Sequence, residues 1–178
     1  MSALNILEKL GSIESRSLTQ LQRILIVTDG TLTEILEAAF LERIRLVKIS
    51  QETVSTTTSD AHLVPVRGEV FLERKILLQG TKSNKNYVYA ESVIAINRLP
   101  PRFDEELVRS DTPLGQLWLE HRLETFKELI GARYERAGER SKHFSCGASA
   151  MLLARAYRVS SAAVPVMVIS EYFPVEWD

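Results

Sequence analysis

Two ionisable side chains stand inside runs that otherwise read as apolar strands, and their chemistry is the first thing the sequence offers. Arg74 interrupts Phe71-Leu72-Glu73-Arg74-Lys75-Ile76-Leu77-Leu78. Alternate residues of a strand share a face, so if Leu72, Ile76 and Leu78 face a core, Arg74 faces it too. An inward guanidinium must meet an anion, because burying it unpaired costs several kcal/mol. That anion is either an internal carboxylate, with Glu73, Glu91 and Glu171 as candidates, or a ligand carboxylate gripped by the planar fork of the arginine. Glu171 follows Pro165-Val166-Met167-Val168-Ile169-Ser170 and precedes Tyr172-Phe173-Pro174. It is either a charge turned to solvent at a strand end or a carboxyl in an apolar pocket, with a raised pKa suited to proton donation or hydrogen bonding. The functional reading of both residues requires them to converge on one enclosed hollow.

Other chemistries find little support. His62, His121 and His143 show neither paired helical spacing nor nearby cysteines, which argues against a zinc site. No phosphate-binding loop, dinucleotide fingerprint or nucleophile elbow is present. Ser145-Cys146-Gly147 could be a nucleophilic turn, but no spacing supplies an activating base, and a small-residue loop is the simpler account. The net charge of −1, from 22 basic and 23 acidic side chains, disfavours nucleic-acid binding. Signs are mixed even in the densest run, Arg133-Tyr134-Glu135-Arg136-Ala137-Gly138-Glu139-Arg140, which reads as a solvated loop. Cys146 is the single cysteine, so no intrachain disulfide can form. With no secretory signal and no apolar run near the roughly 20 residues of a membrane span, the expectation is a soluble cytoplasmic protein without a membrane partner.

The elements that must position these residues run helix first, strand later. Leu4, Ile6, Leu7 and Leu10 recur at helical spacing before Gly11, and Leu18, Leu21, Leu25 and Ile26 predict a second helix from near Ser17. After Asp29-Gly30, Thr31-Leu32-Thr33-Glu34 has the form of a capping box, opening a helix with Leu32, Ile35, Leu36 and Ala39 on one face. A strand is predicted from Ile44 to about Thr56, a polar loop over Thr56-Thr57-Thr58-Ser59-Asp60, and a hairpin joining Val70–Leu78 to Tyr87–Ile96. Phe103–Arg109 predicts a short helix, and Pro113 starts another whose Leu114, Leu117 and Trp118 form one buried face. From His121 to Arg136 periodicity alone does not choose between helix and strand. Met151–Val159 and Val164–Phe173 read as two strands joined by Ser160-Ser161-Ala162-Ala163. No internal repeat or interdomain linker appears, so one α+β domain with a largely antiparallel sheet is the simplest organisation. Exposed strand edges would permit a homo-oligomer.

Four pieces, in order, carry a resemblance: Asp29-Gly30-Thr31-Leu32-Thr33, Glu73-Arg74-Lys75-Ile76-Leu77-Leu78, Thr112-Pro113-Leu114-Gly115 and Ser170-Glu171-Tyr172-Phe173-Pro174. This set resembles the chorismate pyruvate-lyase (4-hydroxybenzoate synthase) family, in its small bacterial and archaeal branch, over nearly the whole chain. The resemblance implies a single domain over residues 1–178, a six-stranded, largely antiparallel sheet with N-terminal and flanking helices enclosing a ligand cavity. It implies that Arg74 binds the ring carboxylate of a small anionic substrate and that Glu171 stands near the ring's oxygen substituent. It also implies that Leu114 and Leu32 offer backbone groups to the ligand. The implied reaction releases pyruvate from chorismate, needs no cofactor because the product ring becomes aromatic, and should show product inhibition. One departure is Glu91, in Ala90-Glu91-Ser92-Val93, where many of these lyases carry an arginine. Arg155 and Arg158 are the candidates to supply that charge, Arg158 being counted among the substrate-binding residues. The alternative is that both are ordinary strand-face charges. A second resemblance, to the effector domains of GntR-type regulators, implies a non-catalytic binder of small aromatic or sugar-like anions. The acidic Thr31-Leu32-Thr33-Glu34-Ile35-Leu36-Glu37 is a poor reader of DNA, however.

Overall fold

A strand that closes the chain also lies near the middle of its sheet, and that single topological fact places Glu171. The computed structural model describes residues 6–7, 13, 15–29, 31–55, 62–63, 68–109, 112 and 114–177. The strands are β1 (Ile44–Val54), β2 (Phe71–Gly80), β3 (Asn86–Ala95), β4 (Thr125–Arg136), β5 (Met151–Ser161) and β6 (Val164–Pro174). They form one sheet in the order β1-β2-β3-β6-β5-β4, with every neighbouring pair antiparallel. β6 therefore inserts between β3 and β5 and has a paired strand along each edge.

Helices α1 (Gln20–Val27), α2 (Leu32–Phe40), α3 (Pro101–Arg109), α4 (Leu114–Glu120) and the single turn α5 (Ser141–Phe144) surround the sheet. α1 begins at a capping box in which Thr19 and Gln22 exchange side-chain and backbone hydrogen bonds. Such a cap is worth about 1 kcal/mol. Gln22 also donates to the Val175 carbonyl at 3.0 Å, which fixes α1 against the end of β6. The capping box expected at Thr31 does not form: Thr31 is the N-cap of α2, but its side chain makes no cap hydrogen bond. No helix among the described residues is long and apolar enough to cross a membrane.

Two apolar clusters cover the same face of the sheet. One joins Leu25 and Ile26 of α1 and Leu32 and Leu36 of α2 to Leu78, Val88, Leu153 and Phe173. The other joins Phe103 and Leu107 of α3 and Leu117 and Trp118 of α4 to Leu72, Ile94, Val159 and Ile169. Each large apolar side chain removed from water contributes about 1.5–3 kcal/mol, so these clusters clamp the two helix pairs to the sheet. The polar site lies between them.

The ambiguous stretch is settled in favour of an extended edge strand, Thr125–Arg136. The charge run at its end is not a solvated loop. Residues 133–136 pair with β5, Ala137 is fully buried, and Arg140 hydrogen-bonds Glu135 and the Tyr172 hydroxyl. β5 and β6 are joined by a two-residue turn, Ala162-Ala163, with φ of 48° and 65°. This is the left-handed pair that matches the strand twist of a tight hairpin. The proposed first helix falls mostly outside the described residues, as do the Thr56–Asp60 loop, Gly30 and Pro113.

Candidate active site

Sheet register brings the polar residues into two adjacent rows on the face that the helices cover. One row runs Arg74, Ser92, Ile169, Tyr157 and Leu129 across β2, β3, β6, β5 and β4. The next runs Ile76, Ala90, Glu171, Arg155 and Ala132. Two strand spacings of about 4.8 Å and one two-residue step of about 6.7 Å set the Cα atoms of Arg74 and Glu171 on the order of 12 Å apart. Their side chains close the distance: both line one cavity of about 80 Å³. Arg74 is 2% exposed and Glu171 6%, so both side chains are buried.

The cavity roof comes from the first turns of two helices. Thr31, Leu32 and Thr33 at the start of α2 and Leu114, Gly115 and Trp118 of α4 all line it. The two helix starts meet closely, since a Cβ on Gly115 would stand 3.4 Å from Thr31 Cγ2. Leu32 and Leu114 thus both line the hollow.

Within this largely apolar lining the Glu171 carboxylate is partnered on both oxygens. Arg155 faces it directly across the β5–β6 pair and donates from Nε to one carboxylate oxygen at 2.5 Å. The Tyr157 hydroxyl donates to the other oxygen at 2.9 Å. Burial, reinforced by the negative charge of Glu171, pushes the Tyr157 phenol well above its ordinary pKa and keeps it a donor. Arg155 also donates through Nη1 to the carbonyl oxygens of Leu25, Ile26 and Thr28 at the end of α1. The last carbonyls of a helix have no partner within it and carry the negative end of its dipole, so a cation fits there. Arg155 is therefore a strut between α1 and Glu171.

Arg158 does not line this cavity. It points from the opposite face of β5, half-buried, and pairs with Glu128 of β4. It lies three positions along the strand from Arg155, an odd step, and an odd step reverses the face. Glu91 is likewise on the far side. It accepts a hydrogen bond from the Tyr89 hydroxyl at 2.8 Å and lies 3.7 Å from Arg140, while its neighbour Ser92 lines the cavity.

Lys127 is the site residue that sequence reasoning missed. Its side chain lines the cavity, its Nζ sits 5.1 Å from the Trp118 ring centre and 5.6 Å from that of Tyr157, and it donates to the Asp29 carbonyl at 2.6 Å. Burial lowers its pKa, and the charge of Glu171 opposes that shift. The only available signal was alternation in Thr125-Phe126-Lys127-Glu128-Leu129-Ile130, and there both phases carry apolar residues.

The relatives agree with this architecture. The family model described as chorismate pyruvate-lyase Rv2949c-like matches residues 26–178. A chorismate pyruvate-lyase of Mycobacterium tuberculosis is 33% identical over 168 residues, covering 90% of this chain and 82% of that protein. One from Mycobacterium leprae is 30% identical over 172 residues, covering 90% and 77%. Solved structures similar in fold include the effector domain of PhnF from Mycobacterium smegmatis, with a TM-score of 0.64 at 11% identity over 82% of this chain and 88% of that one. The C-terminal domain of a histidine utilization repressor from Pseudomonas syringae gives 0.54 at 13% identity over 74% and 92%. At those identities the structural likeness speaks to the fold alone. By the match of its family model and the identity of its relatives along nearly its whole length, this chain belongs to the Rv2949c-like chorismate pyruvate-lyase family.

Proposed function

We propose that the cavity between the two helix pairs is where this chain converts chorismate to 4-hydroxybenzoate and pyruvate. The observation that carries the reading is the convergence of Arg74 and Glu171, from strands two apart, on one buried hollow. Arg74 takes the ring carboxylate through its planar fork, assisted by backbone groups at Leu32 and Leu114. Glu171, held by Arg155 and Tyr157, presents a fixed carboxylate to the ring hydroxyl at the opposite end. In this arrangement Glu171 accepts a hydrogen bond and polarises the ring, rather than donating a proton.

The chemistry then balances within substrate and site. The ether carbon–oxygen bond breaks and the adjacent ring carbon gives up its proton. The ring gains a double bond and becomes aromatic, and the departing enolpyruvate takes up a proton on its methylene carbon to become pyruvate. Aromatisation drives the step, so the reading needs no cofactor. What the protein contributes is a held conformation, exclusion of water and prearranged charge. The same cation that grips the substrate grips the product, which implies product inhibition. In this reading the enzyme works in the cytoplasm on a small anion, without nucleic acid or membrane.

The decisive experiment follows pyruvate release from chorismate by the purified protein. Release that saturates with substrate supports the reading. If no pyruvate forms while 4-hydroxybenzoate raises the melting temperature, the cavity is a binding site without catalysis. Arg74→Ala should weaken 4-hydroxybenzoate binding by about a hundredfold, as loss of two charge-assisted hydrogen bonds implies, with a native melting curve. Unfolding of that variant would instead make Arg74 a structural member, and Arg74→Lys, which keeps charge but not the fork, would then separate the two roles.

A further inference from the structure

Chorismate carries two carboxylates, and the site above has assigned a partner to one. The cavity-lining cations among the described residues are Arg74, Arg155 and Lys127. Arg155 is committed to Glu171 and to the carbonyls that end α1. Across the sheet the three remaining charges fall in sequence: Arg74 on β2, Glu171 on β6 and Lys127 on β4. Lys127 pairs in register with Val159, one row beyond Tyr157 and Leu129. A ligand with its ring carboxylate at Arg74 and its ring hydroxyl at Glu171 would direct the adjacent ether arm towards β4.

We propose that Lys127, together with the indole N–H of Trp118, binds the carboxylate of the enolpyruvyl arm. The proposal rests on the lyase reading of the cavity and deepens it. An ammonium has three donors that rotate about a flexible stem, so it can take a carboxylate while keeping its bond to the Asp29 carbonyl. Trp118 supplies a second, independent observation. It is 7% exposed and lines the cavity, and its Nε1 is buried with no hydrogen-bond partner among the described residues. An indole nitrogen is a donor only, and buried donors in native proteins nearly always find an acceptor. The aromatic faces of Trp118 and Tyr157 beside the Lys127 ammonium also keep the charge in place without neutralising it.

The test compares a dianion with a monoanion. Binding of chorismate and of 4-hydroxybenzoate is measured by calorimetry, and chorismate turnover by pyruvate release, for the wild type, Lys127→Met, Lys127→Arg and Trp118→Phe. Lys127→Met should weaken chorismate by at least about tenfold, the loss of one charge-assisted contact, while 4-hydroxybenzoate binds within about twofold of wild type on the same arithmetic. Lys127→Arg should recover much of the chorismate affinity, and Trp118→Phe should lose part of it with the ring retained. Equal losses for both ligands, or no loss for either, would overturn the proposal. A folding defect in Lys127→Met moves the decision to Lys127→Arg and Trp118→Phe, read by the same ratio of affinities. Should the wild type release no pyruvate, the lyase reading fails on its own, and a selective loss of chorismate binding still upholds Lys127 as the second anchor.

Discussion

Arg155 and Arg158 leave the same strand three residues apart, and each meets a glutamate directly across a strand pair. Arg155 faces Glu171 of β6, and Arg158 faces Glu128 of β4. The side chains of the interior pair are 3% and 7% exposed; those of the exterior pair are 31% and 53% exposed. Residue types and register are alike, so the difference lies in what else surrounds each charge. Around the interior pair are the Tyr157 hydroxyl and three helix-end carbonyls, which replace the water both ions gave up. Around the exterior pair water remains, and it screens most of the attraction. A buried ion pair of this kind is weak evidence for stability in itself, but it makes each partner indispensable to the other.

The largest effect expected from that contrast is at Arg155. Arg155→Met leaves Glu171 buried without its cation and removes the partner of three carbonyls, so unfolding free energy should fall by about 3–5 kcal/mol. Urea denaturation of the variant reads this directly. Adding Glu171→Gln to Arg155→Met should restore part of the loss, because the uncompensated charge is gone. A loss below about 1 kcal/mol, the range of surface pairs, would erase the distinction between the two arginines.

An intermediate case sharpens it. Glu42 stands at the surface like Glu128, yet it organises the β2–β3 turn through the Lys82 and Ser83 amides and the Ser83 and Tyr87 hydroxyls, at 2.6–3.1 Å. The hydrogen bond from the Ser83 hydroxyl, followed by those from Tyr87 and the backbone, lowers its pKa from 4.5 to about 2. A carboxyl whose folded pKa is depressed stabilises the fold above its unfolded pKa and loses that contribution as pH falls through the folded value. Acidification from pH 4.5 to about 2 should therefore lower the melting temperature of the wild type more than that of Glu42→Gln. Equal slopes in the two proteins would show that hydrogen bonding does not rescue an exposed carboxylate here.

The contrast also explains what could be read from the residues in order. The β2–β3 hairpin was legible because Leu72, Ile76 and Leu78 mark one phase clearly, and Arg74 inherits its direction from them. The helices at Leu32 and Leu114 were legible from apolar spacing. β5 was legible as a strand from Met151, but its inward phase was not: Leu152, Leu153, Ala154 and Arg155 are all buried, so alternation disappears there. Nothing in Arg155-Ala156-Tyr157-Arg158 distinguishes the strut from the surface charge until the neighbours β6 and β4 are in place. Glu171 was legible as a charge in an apolar run, but its surroundings were not, because Arg155 comes from 16 residues away and the α1 carbonyls that Arg155 holds lie 127 to 130 residues from Arg155. The charge run at 133–140 misled for a related reason. Arg140 looks solvated in sequence, yet its guanidinium lies 3.9 Å from the Tyr172 ring centre, on an aromatic surface that only the folded sheet creates.

The smallest effect belongs to Arg158, and it is the strictest check on the comparison. Arg158→Ala removes one partner of a half-exposed pair at the β4–β5 edge, where measured pairs contribute about 0.2–1 kcal/mol. Stability should fall by no more than that, and added salt should shrink the difference, because screening acts on the pair and not on the core. The cavity lies on the other face of β5, so chorismate turnover and 4-hydroxybenzoate affinity should match the wild type. A variant that stays folded but loses ligand affinity would require Arg158 to reach the hollow from the face it points away from, and the register that separates it from Arg155 would have to be wrong.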